Sequence, residues 1–193
     1  MGAFRAGCDS EGFLCSGQTV CLVPIDFCTR FILGSSRYSL LPALSLSGII
    51  HAKIVENSYT TELFLDFLQG LLAQMNPFPA NNSLIIMDNA KIHRNPRVRQ
   101  MIEARCVPSA GFTPQTDEWI RGCRLLYLPA YSPDYNPIEL AFSKIKAFVR
   151  RNGGVARVDK DMDDTDVIVY LLRVTFSVTA EDANGWFHHC GYI

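Results

Sequence analysis

Two apolar runs, SLIIM (83–87) and RLLYL (124–128), are too short for helices, and each is followed by a helix-start signal. Runs of this length bounded by turn-forming residues read as buried strands. After the first, Asn95-Pro96 sets an N-cap before a proline at the first helical position, and Val98, Met101 and Ile102 form an apolar stripe. After the second, YSPDYNP opens a helix whose Ile138, Ala141, Phe142, Ile145, Phe148 and Val149 recur at helical spacing. Strand, helix, strand, helix at these lengths demands parallel strands joined by crossovers.

The preceding third of the chain has a different period. TVCLVPIDFCTRFIL (19–33) is rich in β-branched and aromatic residues. RYSLLPALSL (37–46) and GIIHAKIVEN (48–57) flank a Ser-Gly turn and read as an antiparallel hairpin. From Thr60 or Thr61 the pattern becomes helical, with Glu62 in the first turn and Leu63, Phe64, Phe67, Leu68, Leu71 and Leu72 on one side, until NPFPANN ends it. Hairpin plus parallel strands predicts a mixed α/β sheet. Two further helices, from about Asp166 to Ser177 and from Ala180 to His189, place residues 163–193 as a C-terminal closure of a single domain, 1–193.

Composition excludes several classes. A chain of 193 residues that is 48% hydrophobic can bury a core. Its formal net charge of −1 is not that of a uniformly basic nucleic-acid binder. Basic charge is local: residues 91–105 hold five Lys and Arg against one acid, and 144–160 hold six against one. No run of 18 apolar residues occurs, so no membrane helix is expected. The seven cysteines lack C-x-x-C pairs, which reads as an intracellular protein with reduced thiols. His188-His189-Cys190 has no second pair at zinc spacing, and DKDMDDTD (159–166) lacks the glycine and terminal glutamate of a calcium loop.

Three carboxylates stand at specified places. Asp88 ends SLIIM, at the sheet edge where open α/β sheets usually place their ligands. Glu139, three residues after Asn136, has two readings: the back-reaching partner of a capping box, or a ligand heading a helix face that also carries Ser143, Lys146 and Arg150. Asp134, beside Pro133, reads as a turn residue. Two carboxylates from separate elements suit a hard divalent cation, which takes oxygen ligands.

IIMDNAKIHRN (85–95) and LLYLPAYSPDYNPIELAFSKIK (125–146) together resemble the second and third catalytic blocks of the mariner-type DDE transposases. RYSLLPALSLSGII, YTTELFLDFL, NPFP and TAEDANGWFHHCGY are similar to segments of a fungal-like branch of that family. The resemblance implies an RNase H-like sheet flanked by helices, with Asp88 and Glu139 as the second and third metal-binding carboxylates for Mg2+ or Mn2+. It also implies metal-dependent cleavage and strand transfer of DNA, a homodimer as in the family, and a nuclear location. Asn89 and His93 lie in the second block, and His93 either orients a phosphate or packs beside the strand. Lys91, Arg94, Arg97, Lys146 and Arg150 are candidates for non-specific contacts to the DNA backbone.

The sequence departs from the family pattern twice. The interval between Asp88 and Glu139 is longer than the family's by about the length of 106–121, and deleting that segment joins MIEAR to GCRLLYLP smoothly. Residues 106–121 therefore read as an insertion or a retained intron translated in frame. Secondly, GCDSEGF (7–13) resembles the stretch after the family's first Asp-Glu pair, but Phe4-Arg5-Ala6 precedes it. The first catalytic aspartate and its central strand are thus expected to be missing or replaced, as in an N-terminally truncated copy. Asp26 is a candidate substitute, although Pro24 opposes a central strand there. Three functions follow: an incomplete or inactive transposase domain, a catalytically dead nucleic-acid-binding module, or a stand-alone nuclease that recruits Asp26.

Overall fold

In the computed structural model, which describes residues 19–22, 29–33, 36–78, 80–104, 123–129, 132–151 and 164–193, the hairpin organises one side of the sheet. Strands β3 (Ser36–Ser45) and β4 (Gly48–Glu56) pair antiparallel from Tyr38 opposite Glu56 to Ser45 opposite Gly48, with one bulge between Ala43 and Leu44. Gly48 makes the return possible with a φ of 104°, and a Cβ there would lie 2.8 Å from the carbonyl oxygen of Val178. Gly48→Ala is therefore expected to cost about 1–3 kcal/mol, through a backbone conformation that L residues rarely adopt and a contact with backbone that cannot swing away. An unchanged melting temperature in that variant would refute the account.

The other edge of β3 is shared by two short strands. β1 (Thr19–Leu22) pairs with its C-terminal half and β2 (Thr29–Leu33) with its N-terminal half. Leu22 stands opposite Ala43 and Thr29 opposite Leu40, so six residues separate β1 from β2 where β3 has only Leu41 and Pro42. β1 also runs parallel to β5 (Leu84–Met87), with Val20 opposite Ile85, and β5 runs parallel to β6 (Arg124–Tyr127).

β1 is thus the strand that joins the antiparallel half to the parallel half. The position between β3 and β5 is occupied by Thr19–Leu22. Pro24 and Asp26 lie outside the described residues.

Five helices flank the sheet among the described residues: α1 (Thr61–Leu72), α2 (Pro96–Glu103), α3 (Ile138–Arg151), α4 (Asp164–Thr175) and α5 (Ala180–His189). The local signals set their ends: Thr60 caps α1, Asn95 caps α2 ahead of Pro96, and Thr179 with Asp182 forms a reciprocal capping box on α5. α1 buries Phe64, Phe67, Leu68, Leu71 and Leu72 as its period predicts, and Leu65 as well. α3 buries Ile138, Ala141, Phe142, Ile145 and Val149. Phe148 is a correction to its predicted stripe, since it is 43% exposed and lies beyond the arc that reaches the core. The insertion reading for 106–121 falls outside the described residues.

The last helices tie back to the corner that starts α3. Lys144 pairs with Asp182, and the Tyr192 hydroxyl donates to the Tyr135 carbonyl at 2.8 Å. Burial and the nearby Asp134 carboxylate push the Cys190 thiol up to about 11. Asn184 reaches the other way, donating to Leu46 at the hairpin turn over 3.1 Å.

Candidate metal centre

Asp88 follows the last residue of β5, and the turn after it is built around its side chain. Its Oδ1 accepts the Ala90 N–H at 3.2 Å, a side-chain turn that aspartate makes readily. The same oxygen accepts from His93 Nδ1 at 2.7 Å. Backbone bonds from His93 and Arg94 to the Ala90 carbonyl, at 3.0 and 3.2 Å, close the turn. β6 holds it from the side: Asn89 Nδ2 donates to the Leu128 carbonyl and the Tyr127 hydroxyl donates to the His93 carbonyl.

Glu139 lies in the first turn of α3. Its carboxyl lies above the ordinary glutamate range, first because it is half-buried and also because the Asp88 carboxylate is near, while Lys146 pulls the other way. Burial and the negative charge of Asp88 thus act on Glu139 in the same direction. The capping-box reading of Glu139 is not what the backbone does. Its amide donates to the Asn136 carbonyl at 3.1 Å, not to the Asn136 side chain, and the box on this side of the protein is the one at Thr179 and Asp182. Asp134 is exposed in a 3-10 turn (Pro133–Tyr135), as a turn residue should be.

Carboxylate oxygens such as those of Asp88 and Glu139 are the ligand type that a hard divalent ion such as Mg2+ or Mn2+ takes. Among the described residues no third His, Cys, Asp or Glu joins them. β1 lies beside β5 with Cys21 opposite Ile86, and its sequence TVCL holds no carboxylate.

The raised Glu139 carboxyl has a measurable consequence. An acid whose folded-state pKa lies above its unfolded value favours the fold in its protonated form. That contribution is complete below about pH 4.3 and is lost as pH rises through the raised value. Glu139→Gln stays neutral throughout, so without divalent ions it is expected to melt above the wild type at pH 7. The gain should vanish near pH 4. A gain that is equal at both pH values would contradict the crowded-carboxylate picture.

Basic residues surround the site unequally. Lys91, Arg94, Lys146 and Arg150 are exposed. Arg94 is oriented by Asn89, whose Oδ1 accepts from Nε and Nη2 at 3.2 and 2.7 Å. Arg97 is engaged elsewhere, with two bonds to Glu62 on α1 at 2.5 and 3.2 Å. Of the two roles open to His93, packing describes its surroundings, since it is fully buried with its ring 4.8 Å from that of Phe64. The sequence reading missed its bond to Asp88. The only signal for it was a histidine five residues after the aspartate, and that spacing meets the carboxylate only because the intervening turn is tight.

A sequence profile described as DDE superfamily endonuclease matches residues 33–161, about two thirds of the chain. The chain belongs to this family. A search of curated proteins by sequence finds no match. Solved structures give the fold. The Mos1 transposase catalytic domain with raltegravir and Mg superposes with a TM-score of 0.56 at 15% identity, covering 91% of this chain and 79% of that one. A pre-cleavage Mos1 transpososome gives 0.57 at 14% identity, covering 95% and 55%. A simian T-cell lymphotropic virus intasome in complex with the PP2A regulatory subunit B56 gamma gives 0.50 at 12% identity, covering 82% and 48%. The domain thus spans about half the length of the matched chains in the two larger assemblies. Its mixed sheet is the RNase H-like sheet of this DDE endonuclease family, and the profile match begins at Leu33, after β1 and Asp26.

Proposed function

We propose that this chain is a mariner-type transposase catalytic domain that holds Mg2+ or Mn2+ through Asp88 and Glu139, binds DNA through exposed basic side chains, and does not cut it. The observation that carries this reading is Asp88 at the end of β5, its Oδ1 bound by the Ala90 N–H and His93 and its side chain 30% exposed, in a chain that the DDE endonuclease profile matches. Solved relatives of the same fold, described as Mos1 catalytic domains with Mg and with Mn and as a paired-end complex with the left transposon end, support the metal and the DNA. A divalent ion bound here would supply Lewis acidity toward a phosphodiester and a more acidic bound water.

The chain's own residues would do the rest. Asp88 and Glu139 fix the charge at the sheet edge. Arg94, set by Asn89, and Lys146, seven residues along the helix from Glu139, lie where phosphates of a bound strand would be neutralised. The expected lack of cutting draws on β1, which lies between β3 and β5 and whose sequence TVCL holds no carboxylate. A second reading, a nuclease that recruits Asp26, draws on one fact: β1 and β5 are parallel and leave the sheet at the same end, with Asp88 one residue past β5 and Asp26 four past β1.

Supercoiled plasmid with Mg2+ or Mn2+ separates these. The expected result is binding that weakens with salt, with a slope reduced by about 1 in Lys146→Ala, and nicking no greater than that of Asp88→Ala. Nicking abolished by both Asp88→Ala and Asp26→Ala would establish the nuclease instead. A chain that fails to bind DNA at low salt would refute the nucleic-acid reading.

A further inference from the structure

His93 is placed as no packing residue needs to be. Its side chain is fully buried beside Phe64, yet it is a histidine, and its Nε2 is buried with no hydrogen-bond partner. A buried ring nitrogen left unpaired costs stability, and phenylalanine or leucine would fill the same space without that cost. What histidine alone adds is Nδ1, at 2.7 Å from Asp88 Oδ1. A carboxylate oxygen only accepts, so the ring carries its proton on Nδ1 and donates it.

The bonds to Asp88 are one-sided. Oδ1 takes both the Ala90 N–H and the His93 Nδ1–H, and among the described residues no hydrogen bond reaches Oδ2. The Asp88 side chain is 30% exposed while the His93 side chain is 0% exposed, so the carboxylate is gripped from the protein side and open on the other. His93 is itself held: its backbone carbonyl accepts from the Tyr127 hydroxyl at 2.8 Å, and its N–H donates to Ala90 at 3.0 Å. A donor fixed in this way removes the rotation of the carboxylate that a cation would otherwise have to freeze, as the supporting partners of metal ligands do.

We propose that His93 is a positioning residue for Asp88, its Nδ1–H holding Oδ1 so that Oδ2 is the oxygen presented to a divalent cation. The inference rests on the reading of Asp88 and Glu139 as cation ligands. It makes His93 part of the site's function, not only of its packing against Phe64.

Two substitutions separate donor from ring. His93→Phe keeps an aromatic ring against Phe64 and loses the donor, whereas His93→Asn keeps an N–H donor near the place of Nδ1 and loses the ring. Mn2+ affinity of the whole chain, read by electron paramagnetic resonance, is expected to fall about 10–100-fold in His93→Phe and to stay within about threefold of wild type in His93→Asn. Melting temperature should run the other way, with His93→Asn the less stable. In long-range proton–nitrogen spectra of the metal-free, histidine-labelled chain, one imidazole should show the Nδ1-protonated tautomer, vanish in His93→Phe and change in Asp88→Ala. The inference is overturned if His93→Phe binds Mn2+ like the wild type while Asp88→Asn does not, or if the assigned His93 signal shows the Nε2-protonated tautomer. A wild-type chain without any Mn2+ binding that Asp88→Asn removes is a different result: it rejects the two-carboxylate site, and this role with it.

Discussion

Asp88→Asn is expected to lower Mn2+ affinity by about 100-fold or more, roughly 2.7 kcal/mol, while moving the melting temperature by no more than a degree or two. The two effects separate because the two oxygens of Asp88 have separate duties. The asparagine carbonyl can replace Oδ1, accepting from both the Ala90 N–H and His93 Nδ1, so the turn and the buried imidazole keep their partner. What disappears is the negative charge and the second acceptor, which a hard cation requires. Asp88→Ala should lose the affinity and stability together, since it strands the buried Nδ1–H of His93 at a cost of about 1–3 kcal/mol. Isothermal titration with Mn2+ beside thermal melts reads both quantities. If Asp88→Asn binds Mn2+ as the wild type does, the metal centre placed at this edge does not exist.

The second large effect belongs to the helix that carries Glu139. Phe142→Ala is expected to cost about 3–5 kcal/mol, a third or more of the stability of an ordinary domain, and to lower the melting temperature by roughly 6–20 °C. Phe142 is 2% exposed among the largest buried side chains, on the stripe that α3 presses into the core with Ile138, Ile145 and Val149. Its ring also lies beneath Lys146, whose Nζ is 6.0 Å from the centroid and whose charge acts on Glu139. Phe148→Ala is the internal comparison. It lies on the same helix but is 43% exposed, so its loss should cost no more than about 1 kcal/mol. Equal costs at the two positions, measured by urea unfolding, would mean that α3 is rotated from the orientation described.

The parts of this protein that could be read without coordinates are those encoded within a few residues. Thr60 before the periodic run, Asn95-Pro96, and the Ser-Gly turn between two β-rich segments each act through their own backbone, so they predicted α1, α2 and the hairpin nearly to the residue. The place of Asp88, a charge just past the end of an apolar strand, was legible for the same reason. The capping signals at Asn136 and Thr179 look alike in sequence, yet only the second forms the reciprocal box. The difference lies in the surroundings: Asn136 is buried beneath the corner, whereas Thr179 and Asp182 form an exposed helix start that also faces Lys144. Phe148 failed because periodicity gives the direction of a stripe but not how far the neighbouring layers extend around it.

The amino-acid sequence by itself determined the elements, their caps, the two carboxylates and the family to which they belong, since each rests on short-range stereochemistry or on motifs contiguous in the chain. Tertiary structure alone decided that Thr19–Leu22 occupies the central strand, that burial holds the Glu139 carboxyl above its ordinary range, that Arg97 is engaged with Glu62, and that His93 holds one oxygen of Asp88. Strand order and charge pairing depend on which distant segments share one edge of the sheet. Their free energy comes from contacts across many residues, and no local pattern records it.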